Sequence, residues 1–156
     1  LGWKLVPNSH KLVNGEEGTY QIDINSKGLR DREYEPAKPP SVFRIVVVGD
    51  SFVFGLGGVE QHEVFAEILE ASAPDVEVIN MGVMGFSLDQ ELLYLESAGL
   101  KYHPDLVVLA LFENDLDESF VAFNDSINRP KGFVGSTADG LQFTPPVVSW
   151  FHWLGE

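Results

Sequence analysis

The segment that most limits what this chain can fold into is Phe43-Arg44-Ile45-Val46-Val47-Val48, a nearly continuous apolar, β-branched run that stops at Gly49-Asp50-Ser51. β-Branched side chains crowd a helical turn but suit a pleated surface. A strand that is apolar on both faces must be covered on both, the situation of a strand inside a parallel sheet. Two further runs share this character, Val76-Glu77-Val78-Ile79 and Leu106-Val107-Val108-Leu109-Ala110-Leu111-Phe112. The segments between them have helical periodicity. One spans His62 to Ser72, with Val64, Phe65, Ile68 and Leu69 on one face and Pro74 beyond its end. The other opens at Ser87-Leu88-Asp89-Gln90, which has the form of a capping box. Leu88, Leu92 and Leu95 make its buried stripe, and Gly99 suits its C-cap. Strand, helix, strand, helix, strand predicts a parallel sheet with helices on both faces.

Residues 1–40 read as a less regular lead-in to a domain over 41–156. Val13-Asn14-Gly15 has the composition of a turn, and Tyr20, Ile22 and Ile24 alternate with polar residues as in a short half-buried strand or hairpin. Glu35-Pro36-Ala37-Lys38-Pro39-Pro40 reads as an extended linker. The acidic balance, 24 Asp and Glu against 10 Lys and Arg, sets a surface that repels phosphate backbones and argues against nucleic-acid partners. The absence of cysteine excludes disulfides, thiolate metal sites and a cysteine nucleophile. No apolar run reaches the length of a membrane span. Gly55-Leu56-Gly57-Gly58 lacks the spacing of a phosphate-binding loop, and no cofactor or metal is expected. Asp115, Asp117, Glu118 and Asp125 read as a solvated acidic face, and Asn124-Asp125-Ser126 fits a glycosylation sequon.

In an open parallel sheet, ligands bind beyond the carboxyl ends of the strands. The three runs are followed there by Gly49-Asp50-Ser51, by Asn80-Met81-Gly82-Val83-Met84-Gly85, and by Glu113-Asn114-Asp115. With the strands in the order 2-1-3, the loops bearing Ser51 and Asn114 are neighbours. A serine at a sharp strand-to-helix turn presents its hydroxyl outward as a nucleophile. Backbone N–H groups at Ser51 and Gly85 and the side-chain amide of Asn114 are the donors that an acyl-transfer oxyanion needs. Gly85, lacking a Cβ, lets substrate approach the backbone.

These three blocks, in this order and spacing over about residues 42–116, resemble the SGNH (GDSL-type) hydrolases. The resemblance implies a three-layer α/β/α sandwich on a parallel, flavodoxin-like sheet. It implies Ser51 as nucleophile and Ser51, Gly85 and Asn114 as oxyanion hole, with Asp50, Asn80 and Asp115 in support. Tyr20 to Arg32 also looks like the lead-in of some bacterial members, which leaves cytoplasm, periplasm and secretion open as compartments. Two departures stand out. Phe112 replaces the glycine usual two residues before the asparagine, and the family's Asp-x-x-His is absent. Of the four histidines, His10 lies in the lead-in, His62 opens a helix, His103 falls at the opposite end of the sheet, and His152 has Ser149 where the aspartate belongs. Trp150-Phe151-His152-Trp153-Leu154 reads as the opening of an apolar helix, pointing to missing chain or a partner surface. The expectation is the N-terminal portion of a serine ester hydrolase acting on a small-molecule or carbohydrate ester, inactive without its histidine. The alternatives are a carbohydrate- or acyl-binding module without catalysis, and an O-acyltransferase.

Overall fold

The computed structural model describes residues 1–15, 18–119, 121, 123–124, 129–131, 133–138 and 140–144. Its centre is a parallel sheet of β3 (Phe43–Gly49), β4 (Val76–Gly82) and β5 (Leu106–Leu109), ordered β4-β3-β5. That is the 2-1-3 order expected for the three apolar runs. Ile45 pairs in register with Val78 on one side and Leu106 on the other. Helix α1 (Ser51–Phe54) follows β3 directly, α2 (Phe65–Ala71) precedes β4, α3 (Leu88–Ser97) precedes β5, and α4 (Glu113–Glu118) follows it.

Successive strand residues point to opposite faces, and the two cores follow this alternation. Val46, Val48, Ile79 and Met81 pack on one face with Phe86, Tyr94 and Tyr102. Ile45, Val47 and Val78 pack on the other with Val53, Val64 and Ala66. The sheet is thus flanked on both faces, as an α/β/α sandwich requires.

The lead-in is more regular than its composition suggests. β1 (His10–Gly15) and β2 (Gly18–Asp23) form an antiparallel hairpin. Tyr20, Ile22 and Ile24 are buried with Phe54 of α1 in a third cluster. Leu29 and Tyr34 belong to the first core, and Trp3 meets Phe86 edge to face with ring centroids 5.6 Å apart. The lead-in therefore packs against the sandwich through Trp3, Tyr20, Ile22, Ile24, Leu29 and Tyr34. Beyond α4, β6 (Phe123–Asn124) pairs with β7 (Arg129–Pro130), and β8 (Phe133–Thr137) with β9 (Gly140–Thr144), both antiparallel.

Several local expectations are corrected. Of the helix expected over His62 to Ser72, Gln61–Glu63 is a 3₁₀ turn, and the buried side chains are Val64 and Ala66. Phe65, Ile68 and Leu69 are exposed, because only the face that meets Val47 and Val78 finds a partner. In α3 the fully buried side chains include Gln90 and Glu91, while Leu92 is 39% exposed. Leu88, Leu92 and Leu95 instead line an open cavity of about 420 Å³ with Val48, Val107 and Leu109. Gly99 is not the left-handed C-cap: it opens a short 3₁₀ turn, and His103 takes the positive φ. A Cβ at Gly99 would meet Leu95 Cδ1 and Met81 Sδ at 2.9 Å, so the ends of these two side chains pack closely over the glycine. β5 ends at Leu109, earlier than expected, and as an edge strand it leaves Leu106 and Leu109 half exposed.

Candidate functional site

β3 runs into α1 without an intervening loop, and Asp50 is the hinge. Its Oδ1 accepts from Phe52 N–H at 2.9 Å, capping the helix that starts at Ser51. The turn is tight: a Cβ on Gly49 would lie 2.2 Å from Val53 Cγ2. Ser51 is half-buried, and among the described residues its one side-chain hydrogen bond is a long one of 3.4 Å to Asp50 Oδ2. It is free to present its oxygen to a ligand.

The second loop is tied to the first. Val83 N–H donates to Gly49 C=O at 3.1 Å. Asn80 holds the junction from inside: its Nδ2 donates to Val53 C=O at 2.9 Å, and its Oδ1 accepts from Gly82 N–H at 2.9 Å. Gly82 lies against the backbone of α1, where a Cβ would be 2.2 Å from Phe54 N. Gly85 has φ +72°, a left-handed conformation that glycine adopts without strain. Trp3 closes the outer side, its indole N–H donating to Met84 C=O at 3.0 Å.

The third loop follows β5, adjacent to β3. Phe112 packs its ring on Phe52 with centroids 4.2 Å apart, joining the first and third loops. This aromatic contact occupies the position where the resemblance calls for glycine. Asp115 is fully buried, and its Oδ2 accepts from Phe112 N–H at 2.7 Å to fix the start of α4. Burial pushes its carboxyl above the ordinary range, with Asp50 and Glu118 adding to the effect against the Phe112 N–H. Asn114, half-buried, is held loosely through Nδ2 to Glu118 Oε1 at 3.4 Å, and its Oδ1 is buried without a partner.

Ser51, Gly85 and Asn114 thus stand on three loops that meet at one edge of the sheet, with Asp50, Asn80 and Asp115 as their internal ties. His103, preceding β5, is exposed at the other end. His10 and His62 are exposed as well, and neither bonds to Ser51. His152, Ser149 and the Trp150 to Leu154 stretch lie outside the described residues, as do Asp125 and Ser126. The acidic face expected near the third loop is corrected at Asp115, which is interior because its carboxylate is needed by the turn. No group of acidic and histidine side chains among the described residues is arranged to hold a metal. No described helix is long and apolar enough to cross a membrane.

Four further residues support the site and carry no local sequence signal. Arg30 is fully buried and donates to the carbonyls of Phe54, Gly55 and Val59 at 3.2, 2.7 and 2.6 Å, clamping the end of α1. Asp31 Oδ2 accepts from Asn80 N–H at 2.7 Å, and burial pushes its carboxyl up to about 8 against that donor. Lys131, also fully buried, donates to Ser87 Oγ at 2.7 Å and Asp89 Oδ1 at 2.9 Å. Ser87 N–H accordingly pairs with Gln90 Oε1, while the Ser87 hydroxyl turns to Asp89 and Lys131. Glu91, beside them on α3, is buried with no partner for either carboxyl oxygen. The chain matches no family model, and no curated protein matches it.

Proposed function

We propose that the chain is the nucleophile-bearing part of a serine hydrolase acting on carboxylic esters, O-acetyl groups on carbohydrate or other short acyl esters among them. The observation that supports it most is the seating of Ser51 on the first residue of α1, hydroxyl nearly unengaged, at the edge where the loops of Gly85 and Asn114 converge. In this reading Ser51 Oγ attacks the ester carbonyl and forms an acyl-enzyme while the alcohol leaves. The backbone N–H groups of Ser51 and Gly85 and the Asn114 amide stabilise the oxyanion that develops. Asn114 suits the role because its Nδ2 has only one long bond, leaving a second amide hydrogen to donate. A histidine base takes the Ser51 proton and returns one to the leaving alcohol. Among the described residues no histidine bonds to Ser51, and this favours as second reading a binding module for acylated carbohydrate that uses the same edge without turnover. Transfer of the acyl group to a sugar hydroxyl instead of water shares the acyl-enzyme and separates from hydrolysis by its product.

The test is hydrolysis of short-chain nitrophenyl esters by the full-length protein, histidine base included, and by the same protein with Ser51→Ala. A loss of about a thousandfold or more is expected, the scale seen when a nucleophile is removed. Unchanged hydrolysis in Ser51→Ala overturns the assignment. Equal ester binding by both proteins with turnover in neither selects the binding module.

A further inference from the structure

Behind the candidate site lies a group of buried carboxyls that the reaction does not use. Glu91 on α3 is 1% exposed, and neither of its carboxyl oxygens has a hydrogen-bond partner. Asp115 on α4 is fully buried with Oδ1 unpartnered. Asp89, also buried on α3, has Oδ2 unpartnered, and Asp50 ahead of α1 is 2% exposed. The ammonium of Lys131 is committed to Asp89 at 2.9 Å. Among the described residues, these four buried acids face a single ammonium, and they cannot all be ionised at an acceptable cost.

We infer that Glu91 acts as a neutral carboxylic acid and is a positioning residue for Asn114, its proton sparing the cluster a further buried charge so that α4 can pack against α3. The inference rests on the reading of Asn114 as an oxyanion donor, but the protonation itself does not. Glu91 is the member with the most reason to hold the proton. Asp50 and Asp115 each accept a backbone N–H, from Phe52 and Phe112, and Asp89 has Lys131. Glu91 has none of these, and burial together with Asp115, Asp50 and Asp89 pushes its carboxyl up to about 8. The groups facing it are therefore Asp50 ahead of α1, Asp89 on its own helix, Asp115 on α4 with Glu118 beyond, and Lys131 ahead of β8. Loss of the proton places a second charge against Asp115 and pushes α4 away from α3, and Asn114 moves with it.

The sign of the pH dependence follows. An acid whose carboxyl titrates higher in the folded than in the unfolded chain stabilises the fold fully below its unfolded range, and that stabilisation is lost as pH rises to about 8. Folding of the wild-type chain should therefore take up about one more proton than folding of Glu91→Gln across roughly pH 5 to 8. The glutamine of that variant copies the shape and the donor of the protonated acid. The difference in thermal midpoint between the two proteins should widen over that interval and stay constant above it. Asp31 titrates in both proteins and cancels.

In the folded protein, hydrogen exchange at residues 113–118, corrected for the intrinsic rate, should accelerate above pH 8 in wild type and not in Glu91→Gln. Ester hydrolysis should decline over the same range only in wild type. Should Glu91→Gln fail to fold, carbon-13 spectra of the wild-type glutamate carboxyls decide the matter, with one carboxyl expected to titrate near 8. All glutamates titrating below pH 6, or a Glu91→Gln profile that tracks wild type, overturns the inference. If the titration appears but Ser51→Ala leaves hydrolysis unchanged, the catalytic reading falls and the protonated Glu91 stands.

Discussion

Replacing Gly82 by alanine isolates the contact on which the placement of Ser51 depends. Gly82 ends β4 with a φ outside the left-handed region, so alanine meets no intrinsic backbone penalty there. The entire cost is space. The added Cβ would lie 2.2 Å from Phe54 N, 2.6 Å from Val53 C and 2.8 Å from Phe54 Cα. All three are backbone atoms of α1, held by Arg30 at the helix end and by Asn80 at Val53 C=O, so no side chain can rotate out of the way. Overpacking typically costs about 1–3 kcal/mol, and a clash with fixed backbone belongs at the upper end. At about 2–4 °C per kcal/mol for a chain of this size, the thermal midpoint should fall by about 6–12 °C. Gly57→Ala is the control: it has φ +120° with no atom within 4 Å of the added Cβ, so it samples backbone strain with no packing term, of about 1–2 kcal/mol. Circular dichroism melts of the three proteins measure both. Any relief of the clash must shift α1, so on the proposed hydrolase reading Gly82→Ala in the full-length protein should lose ester hydrolysis even at temperatures where it is folded, whereas Gly57→Ala should keep it. A midpoint for Gly82→Ala within about 2 °C of wild type, or a larger effect from Gly57→Ala, would refute the packing argument.

Two further outcomes test the interior ties. Asn80→Ala leaves Val53 C=O and Gly82 N–H buried without their partner, and urea denaturation should show a loss of about 2–4 kcal/mol, two unsatisfied groups at the usual desolvation cost. Lys131→Met strands the Asp89 carboxylate, 2.9 Å from the ammonium it loses, and should cost about 3–5 kcal/mol. Adding Asp89→Asn should recover much of that loss in the same denaturation experiment, and failure to recover would show that Lys131 acts through packing alone.

The central architecture was legible because it depends on local pattern. Three apolar β-branched runs separated by helical periodicity left a parallel sheet as the fold, and the loops after those runs had to share one edge. Ser51, Gly85 and Asn114 were found that way, with no reference to any distance. The reading failed where a residue's surroundings come from distant chain. Leu88, Leu92 and Leu95 have the spacing of a buried stripe, but spacing cannot say whether anything covers it, and in the structure they line an open cavity. Phe65, Ile68 and Leu69 fail in the same way, since Val64 and Ala66 occupy the contact with the sheet. Glu91 stands outside the leucine stripe and is interior, while Lys131 reaches Asp89 from 42 residues away. Arg30, in the lead-in, clamps the end of α1, the helix that begins at Ser51. Periodicity and turn chemistry are properties of neighbours along the chain, so the sequence by itself settled the element types and the sheet edge at which Ser51, Gly85 and Asn114 lie. Burial, charge compensation and the protonation of a carboxyl depend on what the completed fold brings against each group, and those only the tertiary structure decided.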